Sequence, residues 1–441
     1  MRPTGRLHLG HYFGALSNWL KLQEEYDCFF FVADWHALTT HYEDTSSIAE
    51  NTLQVAMDWL SIGLDPTKST LFIQSQILEH AELHLLLSMI TPLSWLERVP
   101  TYKEQIENLK DRDLGTYGFL GYPLLQSADI VMYGESKQEL LVPVGEDQAP
   151  HVEMTREVVR RFNLVYIRLK TELLSRPENE AYGQLLDRLF SEPFHSRWES
   201  AFSSGKAREL ESRIRNVVGQ QYAQLDRAVR EKSLVSFELL AKEIAKNVGV
   251  ENFLKSEQKF RRFFDRSVLQ EPQVMLTDTP RLPGTDGRRM AKSYGNAIWL
   301  SDPPDEIRKK TRNMMTDPQR VHRTDPGRPE ICPVFAYHKL FSPPITQEKV
   351  DRDCRSAAIG CVDCKKLMAE SLVTWIEPIQ AQRQKYEANP KAVWDILDAG
   401  SSRARKTAKR TMKRVRDAIF KWDEARKSSA ASAVAATKEG N

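Results

Sequence analysis

Cys28-Phe29-Phe30-Phe31-Val32-Ala33-Asp34-Trp35-His36 reads as a short buried strand that runs directly into polar residues. A continuous apolar run of this length, without alternation, is what a parallel strand covered on both faces requires. Its flanks agree. Upstream, Gly10 to Tyr26 gathers Phe13, Leu16, Trp19 and Leu20 on one face of a helix. Downstream, Thr45 or Ser46 caps a helix through Leu60 that ends near Gly63 and Asp65-Pro66. Thr70 to Ile73 is the next strand, with a helix from Glu79 to Met89 behind it. Leu140 to Val144 is a third, followed by a helix from Gln148 to Phe162. This strand–helix alternation predicts an α/β, Rossmann-like fold with a doubly wound parallel sheet.

With 441 residues the chain holds two or three domains. The first covers 1–163. Residues 164–268 are charged and mostly helical and read as an insertion, because strand character returns at Pro272 to Leu276. Residues 269–301 complete the first domain, 302–427 form an all-α C-terminal domain, and 428–441 are a disordered tail. A net charge of +3 does not by itself mark a nucleic-acid binder. No apolar run approaches the length of a membrane span, and the N-terminus lacks the layout of a secretion signal. Five cysteines in such a chain imply reduced thiols and a cytoplasmic protein.

Five segments carry chemistry. His8-Leu9-Gly10-His11 sets two imidazoles at a helix start, where free backbone N–H groups favour an anion such as phosphate. Gly145-Glu146-Asp147-Gln148 follows the third strand, and Asp34 and His36 follow the first, at the carboxyl ends where α/β sheets bind ligands. Asp129 lies among apolar neighbours in Tyr122-Pro123-Leu124-Leu125-Gln126-Ser127-Ala128-Asp129. It is either a helix cap or hydrogen-bonded structural group, or a buried acceptor for a single N–H on an apolar substrate, and the last rejects analogues that lack the donor. Gly284 to Ser293 clusters glycines and cations: a solvated loop, or one that closes over a polyanion with Lys292 neutralising a departing pyrophosphate.

Two further segments lie near the C-terminus. Cys332, Cys354, Cys361 and Cys364 are either unliganded thiols or a metal site, and their spacing suits Zn²⁺ and an iron–sulfur cluster equally. Residues 403–427 form a basic helix with Met412, Val415, Ile419 and Trp422 on an apolar stripe, either a solvated face or a contact to nucleic-acid backbone.

In order, HLGH, GEDQ and Arg289-Met290-Ala291-Lys292-Ser293 resemble the HIGH, GxDQ and KMSKS signatures of class I aminoacyl-tRNA synthetases. Within that class, Pro3-Thr4-Gly5, Ala33-Asp34-Trp35-His36 and Ser127-Ala128-Asp129-Ile130 look like the tryptophanyl-tRNA synthetase family, over about 1–163 and 269–427. The resemblance implies a homodimeric ligase that uses ATP and Mg²⁺ to join L-tryptophan to tRNA(Trp). It implies that His8 and His11 contact the triphosphate, that Gly10 lets the nucleotide lie close, and that Pro3 and Thr4 border it. Gly145, Glu146 and Asp147 would hold the ribose. Arg289, Met290, Ala291, Lys292 and Ser293 would form the pyrophosphate loop. Asp129 would take the indole N–H, and Tyr122, Gln148 and His36 the polar end of the amino acid. It favours a [4Fe–4S] cluster on the four cysteines and tRNA contact through the basic helix. Three departures from the family pattern stand out: Arg289 replaces a lysine, Ala291 replaces a serine, and a strand expected ahead of Pro3 would fall upstream of Met1.

Overall fold

The structure, a computed structural model, describes residues 1–99, 115–135, 138–166, 227–248, 267–276 and 282–420, with a few single positions besides. Most of the expected insertion and all of the expected tail lie outside the described residues. Helix α1 runs through Leu9–His11, a π turn at Tyr12–Leu16 and Ser17–Leu22. Strands β1 (Cys28–Val32) and β2 (Ser69–Ile73) pair in parallel, with Cys28 opposite Ser69 and Val32 opposite Ile73. Helices α2 (Asp34–His41) and α3 (Ile48–Ser61) make the crossover that a parallel pair requires. The second crossover helix starts at Ile48 rather than at Thr45 or Ser46, because the Ser46 hydroxyl is spent on Asp44 Oδ1 at 2.6 Å.

After α4 (Glu79–Ser88), the short α5 (Leu93–Glu97) and α6 (Tyr117–Val131), strand β3 (Leu141–Val144) leads into α7 (Ala149–Tyr166). Helix α8 (Arg227–Val248) lies within the expected insertion. Beyond it, β4 (Gln273–Leu276) pairs in parallel with β3, so the chain returns to the sheet it left. On the edge of β1 away from β2, Met1 donates to the Phe31 carbonyl and Ala33 N–H donates to the Met1 carbonyl at 2.7 Å.

Helices α9 (Pro304–Arg312), α10 (Pro333–Phe341), α11 (Pro344–Arg355), α12 (Cys361–Ala388) and α13 (Pro390–Phe420) follow. Residues 313–328 are irregular rather than helical, and Arg328 donates to Asp317 there. These helices share cores with the strands. One cluster joins Leu7, Leu9, Val32, Trp59 and Leu71 to Tyr337, Met368, Leu372, Val393 and Leu397. A second joins Phe72, Leu124 and Val158 to Ala404, Ala408, Met412 and Val415. A buried ion pair, Arg383 on α12 with Asp58 on α3, crosses the first cluster, and Asp58 Oδ2 also accepts Leu7 N–H at 2.7 Å. Among the described residues no helix is long and apolar enough to cross a membrane.

Helix α13 covers the outer edge of β2, which would otherwise expose unpaired backbone groups. Gly400 makes this possible: a Cβ there would stand 1.7 Å from the Leu71 carbonyl oxygen. Gly400→Ala should therefore destabilise the protein by about 1–3 kcal/mol, although alanine is the better helix former by about 1 kcal/mol. The denaturant midpoint reads the sign directly, and a rise would contradict this packing.

Candidate active site

The HLGH turn sits at the start of α1 and is pinned from two sides. Leu9 N–H donates to Ile298 O at 3.0 Å and Leu300 N–H to Leu7 O at 2.9 Å, so the segment after the basic loop runs beside it. The two rings stack, with centroids 3.7 Å apart, and His8 N–H donates to His11 Nδ1 at 3.2 Å. Burial, then the neighbouring His11, pushes His8 down to about 3. Burial, with the Arg289 charge next, pushes His11 down to about 4. Both rings are therefore neutral at pH 7 and offer hydrogen bonds rather than charge. His8 Nδ1 is buried with no hydrogen-bond partner.

Charge comes from the basic loop, which the fold lays against this turn. Gly10 N–H faces Met290 Sδ at 3.3 Å, and Lys292 Nζ donates to Thr4 O at 2.7 Å. A side chain at Gly10 would meet His8 Nδ1 at 2.9 Å and Met290 Cβ at 3.4 Å, so the close approach needs glycine. Pro3 is buried beneath, while Thr4, Arg289, Lys292 and Ser293 are exposed and Ala291 is half-buried. Asn296, which no motif singled out, holds the loop. Its Oδ1 accepts Ala291 N–H at 2.9 Å, and its Nδ2 donates to Arg289 O at 3.0 Å and Asp286 Oδ1 at 2.7 Å.

Asp129 reaches its site from the interior of α6 rather than from a strand end. It is 4% exposed and accepts from three side chains. His36 Nε2 lies 2.7 Å from Oδ2, His80 Nδ1 lies 2.5 Å from Oδ1, and Gln74 Nε2 lies 2.9 Å from each oxygen. Burial pushes this carboxyl up, but the hydrogen bonds from His36 and His80 outweigh it and hold the group below the usual carboxylate range. His36, expected to reach the polar end of an amino acid, is thus turned onto Asp129. Tyr122 lies two turns before Asp129 on α6 and is buried beside the His151 ring. Sequence reading missed Gln74 and His80, although Gln74 follows β2 at the carboxyl end of a parallel strand.

Gly145 caps a 3₁₀ turn over Glu146–Gln148 at the carboxyl end of β3, and α7 begins behind it. Glu146 is exposed and Gln148 half-buried; the Asp147 side chain lies outside the described residues.

The cysteines are all reduced. Cys332 caps α10, Cys354 ends α11, and Cys361 and Cys364 open α12. Burial pushes Cys364 up to about 12, with the charges of Cys332, Cys354 and Cys361 adding to it, so the four thiols share one neighbourhood. They are not drawn together as ligands: among the described residues no three His, Cys, Asp or Glu converge to hold a metal. Cys354 Sγ lies 3.6 Å from Arg320 Nη1, and Cys364 Sγ lies 3.4 Å from His338 Nε2.

The basic helix is largely consumed by the α/β part. Arg405 pairs with Glu79, Arg410 with Glu135 and Arg416 with Glu82, while Arg403 and Arg414 donate to the carbonyls of Pro66 and Gly134. Lys406, Lys409 and Lys413 remain on the exposed face. Met412 and Val415 are buried as the stripe predicts, but Trp422 is exposed and stacks on Phe420.

Known proteins share this organisation. The family model for tRNA synthetases class I (W and Y) matches residues 1–182 and 240–377. A tryptophan–tRNA ligase from Ralstonia nicotianae is 46% identical over 419 residues, with 95% of this chain and 96% of the relative covered. One from Aquifex aeolicus is 36% identical over 490 residues, covering 95% and 98%. The crystal structure of tryptophanyl-tRNA synthetase from Campylobacter jejuni complexed with ADP and tryptophane aligns with a TM-score of 0.65 at 24% identity, covering 95% of this chain and 98% of that one.

Proposed function

Because this chain belongs to the tryptophan–tRNA ligase family of class I tRNA synthetases, we propose that it activates L-tryptophan with Mg·ATP and transfers it to tRNA(Trp). The observation that carries this reading is the meeting of two segments far apart in sequence: Met290 at Gly10, and Lys292 at Thr4. In the first step a carboxylate oxygen of tryptophan attacks the α-phosphorus of ATP, and the bond to the bridging oxygen of pyrophosphate breaks. His8, buried, and His11, half-buried, both neutral, donate hydrogen bonds to the phosphate oxygens as charge redistributes. Lys292, with Arg289 and the Ser293 hydroxyl, meets the charge on the departing pyrophosphate. Mg²⁺ accompanies the nucleotide as a counter-ion to its phosphates. Pro3, Thr4 and Gly10 border the nucleotide, and Gly145, Glu146 and Asp147 hold its ribose. Asp129 accepts the indole N–H, while Tyr122 and Gln148 orient the amino acid. In the second step a ribose hydroxyl of the terminal tRNA adenosine attacks the carbonyl carbon, and AMP leaves. The protein supplies positioning and electrostatics, not a covalent nucleophile. Charging of tRNA(Trp) with labelled tryptophan tests the whole reaction; charging of tRNA(Tyr) with tyrosine instead would reassign it.

The tRNA backbone is met, in this reading, by Lys406, Lys409 and Lys413, and the interaction weakens with salt. The reaction belongs to the cytoplasm, where tRNA is charged. The insertion is read as residues 164–268, and the family match breaks inside those bounds, between residues 182 and 240. A homodimer is supported by Leu78, Leu85, Met89 and Leu93, which expose an apolar face along α4 and α5. Sedimentation at twice the chain mass checks it, and a monomer would refute it.

The donor set Cys332, Cys354, Cys361 and Cys364 suits an iron–sulfur cluster in its chemistry, with zinc as the alternative. Such a group would staple α10, α11 and α12 together and take no part in either step. Anaerobically purified protein should contain iron and acid-labile sulfide. Zinc would make the site a tetrahedral thiolate centre, and metal-free protein would overturn the assignment.

A further inference from the structure

The side chains around Asp129 form a chain of hydrogen bonds that reaches well beyond the carboxylate. A carboxylate only accepts, so the His80 Nδ1 that faces Oδ1 at 2.5 Å carries a hydrogen. In the neutral ring this leaves Nε2 as an acceptor, and the Tyr133 hydroxyl stands 2.7 Å from it as the donor. His80 is fully buried between Phe31 and Phe72. Tyr133 stacks on Phe29, with centroids 4.4 Å apart and planes at 16°. The ring of His80 is therefore fixed in place by packing and in tautomer by Tyr133.

Gln74 stands in a different position. Its single amide nitrogen bridges both oxygens of Asp129, while its Oε1 is buried with no hydrogen-bond partner. Of the three donors around the carboxylate, it is the one that can give up one of its two contacts and still keep the other. The lone pair it releases is the one left for a substrate.

We propose that His80, its tautomer set by Tyr133, is a positioning residue that aims Asp129 at the indole N–H and so sets the preference for tryptophan over an analogue lacking that donor. The proposal rests on the reading above that Asp129 accepts this hydrogen. Without the His80 donor, Oδ1 keeps only its share of the bridging Gln74 nitrogen, the contact that can be given up, so the carboxylate can turn; an acceptor misplaced by about 1 Å costs on the order of 10² in rate. A ring that merely filled space would weaken binding of tryptophan and analogue alike.

The test is amino-acid-dependent ATP–pyrophosphate exchange with L-tryptophan and with benzothienylalanine, in which sulfur replaces the N–H. His80→Leu should lower kcat/KM for tryptophan by about 10²-fold, mainly through KM, and leave the analogue little changed. His80→Asn, whose amide nitrogen stands where Nδ1 stood, should restore most of the loss. Tyr133→Phe keeps the stack on Phe29 and should move discrimination in the same direction by less, which keeps the proposal testable if His80→Leu does not fold. Asp129→Asn tests the premise. If it collapses discrimination while His80→Leu and Tyr133→Phe do not, His80 is not the positioning residue and the premise stands. If Asp129→Asn leaves discrimination unchanged, the premise falls and the proposal with it.

Discussion

Lys292→Ala is expected to slow tryptophanyl-adenylate formation by about 10²–10³-fold while the Kd for tryptophan stays within about threefold of its starting value. The asymmetry follows from where the amine lies. It donates to the Thr4 carbonyl on the nucleotide side of the HLGH turn, whereas Asp129 and its histidine donors lie on α6, α2 and α4 and Gln74 follows β2. The imidazoles beside it cannot substitute, since burial keeps both neutral at pH 7 and leaves them able to offer only hydrogen bonds. Arg289 retains a positive charge nearby, as its effect on His11 shows, so the loss should stop short of abolishing the step. Single-turnover adenylate formation and equilibrium tryptophan binding separate the two quantities. Equal loss of both would show that Lys292 supports the fold of the loop and not the charge on pyrophosphate.

Arg383→Ala should cost about 3–5 kcal/mol of stability, the usual consequence of leaving a buried charge without its partner. Arg383 is 2% exposed and donates to Asp58 and Gln54, and Asp58 is fully buried. Burial pushes Asp58 up to about 6, although the Arg383 charge and the Leu7 N–H work against it. Because the folded protein holds this proton more tightly than the unfolded chain, the stability Asp58 contributes is greatest at low pH. It falls as pH rises from about 4 to about 6 and is level above that. Removing Arg383 extends the window upward, so the deficit of the variant should be larger at pH 8 than at pH 5. Urea midpoints at the two pH values check both sign and size. A deficit that shrank with rising pH would mean that Asp58 is not the group left exposed to the change. Since Asp58 also holds Leu7, next to His8, part of the loss should appear as slower adenylate formation.

β1 and β2 were legible because a buried parallel strand leaves a continuous apolar run, and β3 and β4, less deeply buried, still fall on the short apolar stretches read as strands. The HLGH turn and the basic loop were legible as polar islands of unusual composition. Their contact was not: it depends on Ile298 and Leu300 running beside the turn and on Asn296 holding the loop. Asp129 stood out as a lone carboxylate among apolar residues, but Pro123 hid the helix that carries it. Its donors are written in separate elements, Gln74 after β2 and His80 on α4, with nothing local to link them. Arg383 and Asp58 are 325 residues apart, and each alone reads as an ordinary polar residue on a helix. The basic helix shows the same limit from the other side. Its charge was evident in the sequence, but Glu79, Glu82 and Glu135, which consume much of it, lie on other elements.

The most direct measurement is ATP–pyrophosphate exchange on this chain, with each of L-tryptophan and L-tyrosine supplied alone. Exchange that depends on tryptophan and not on tyrosine is the result predicted by two features together: Asp129 as the acceptor for one N–H, and a neutral His8–His11 turn with a cationic loop laid against it. Exchange driven by tyrosine, or none with tryptophan while tryptophan and ATP both bind, would contradict it.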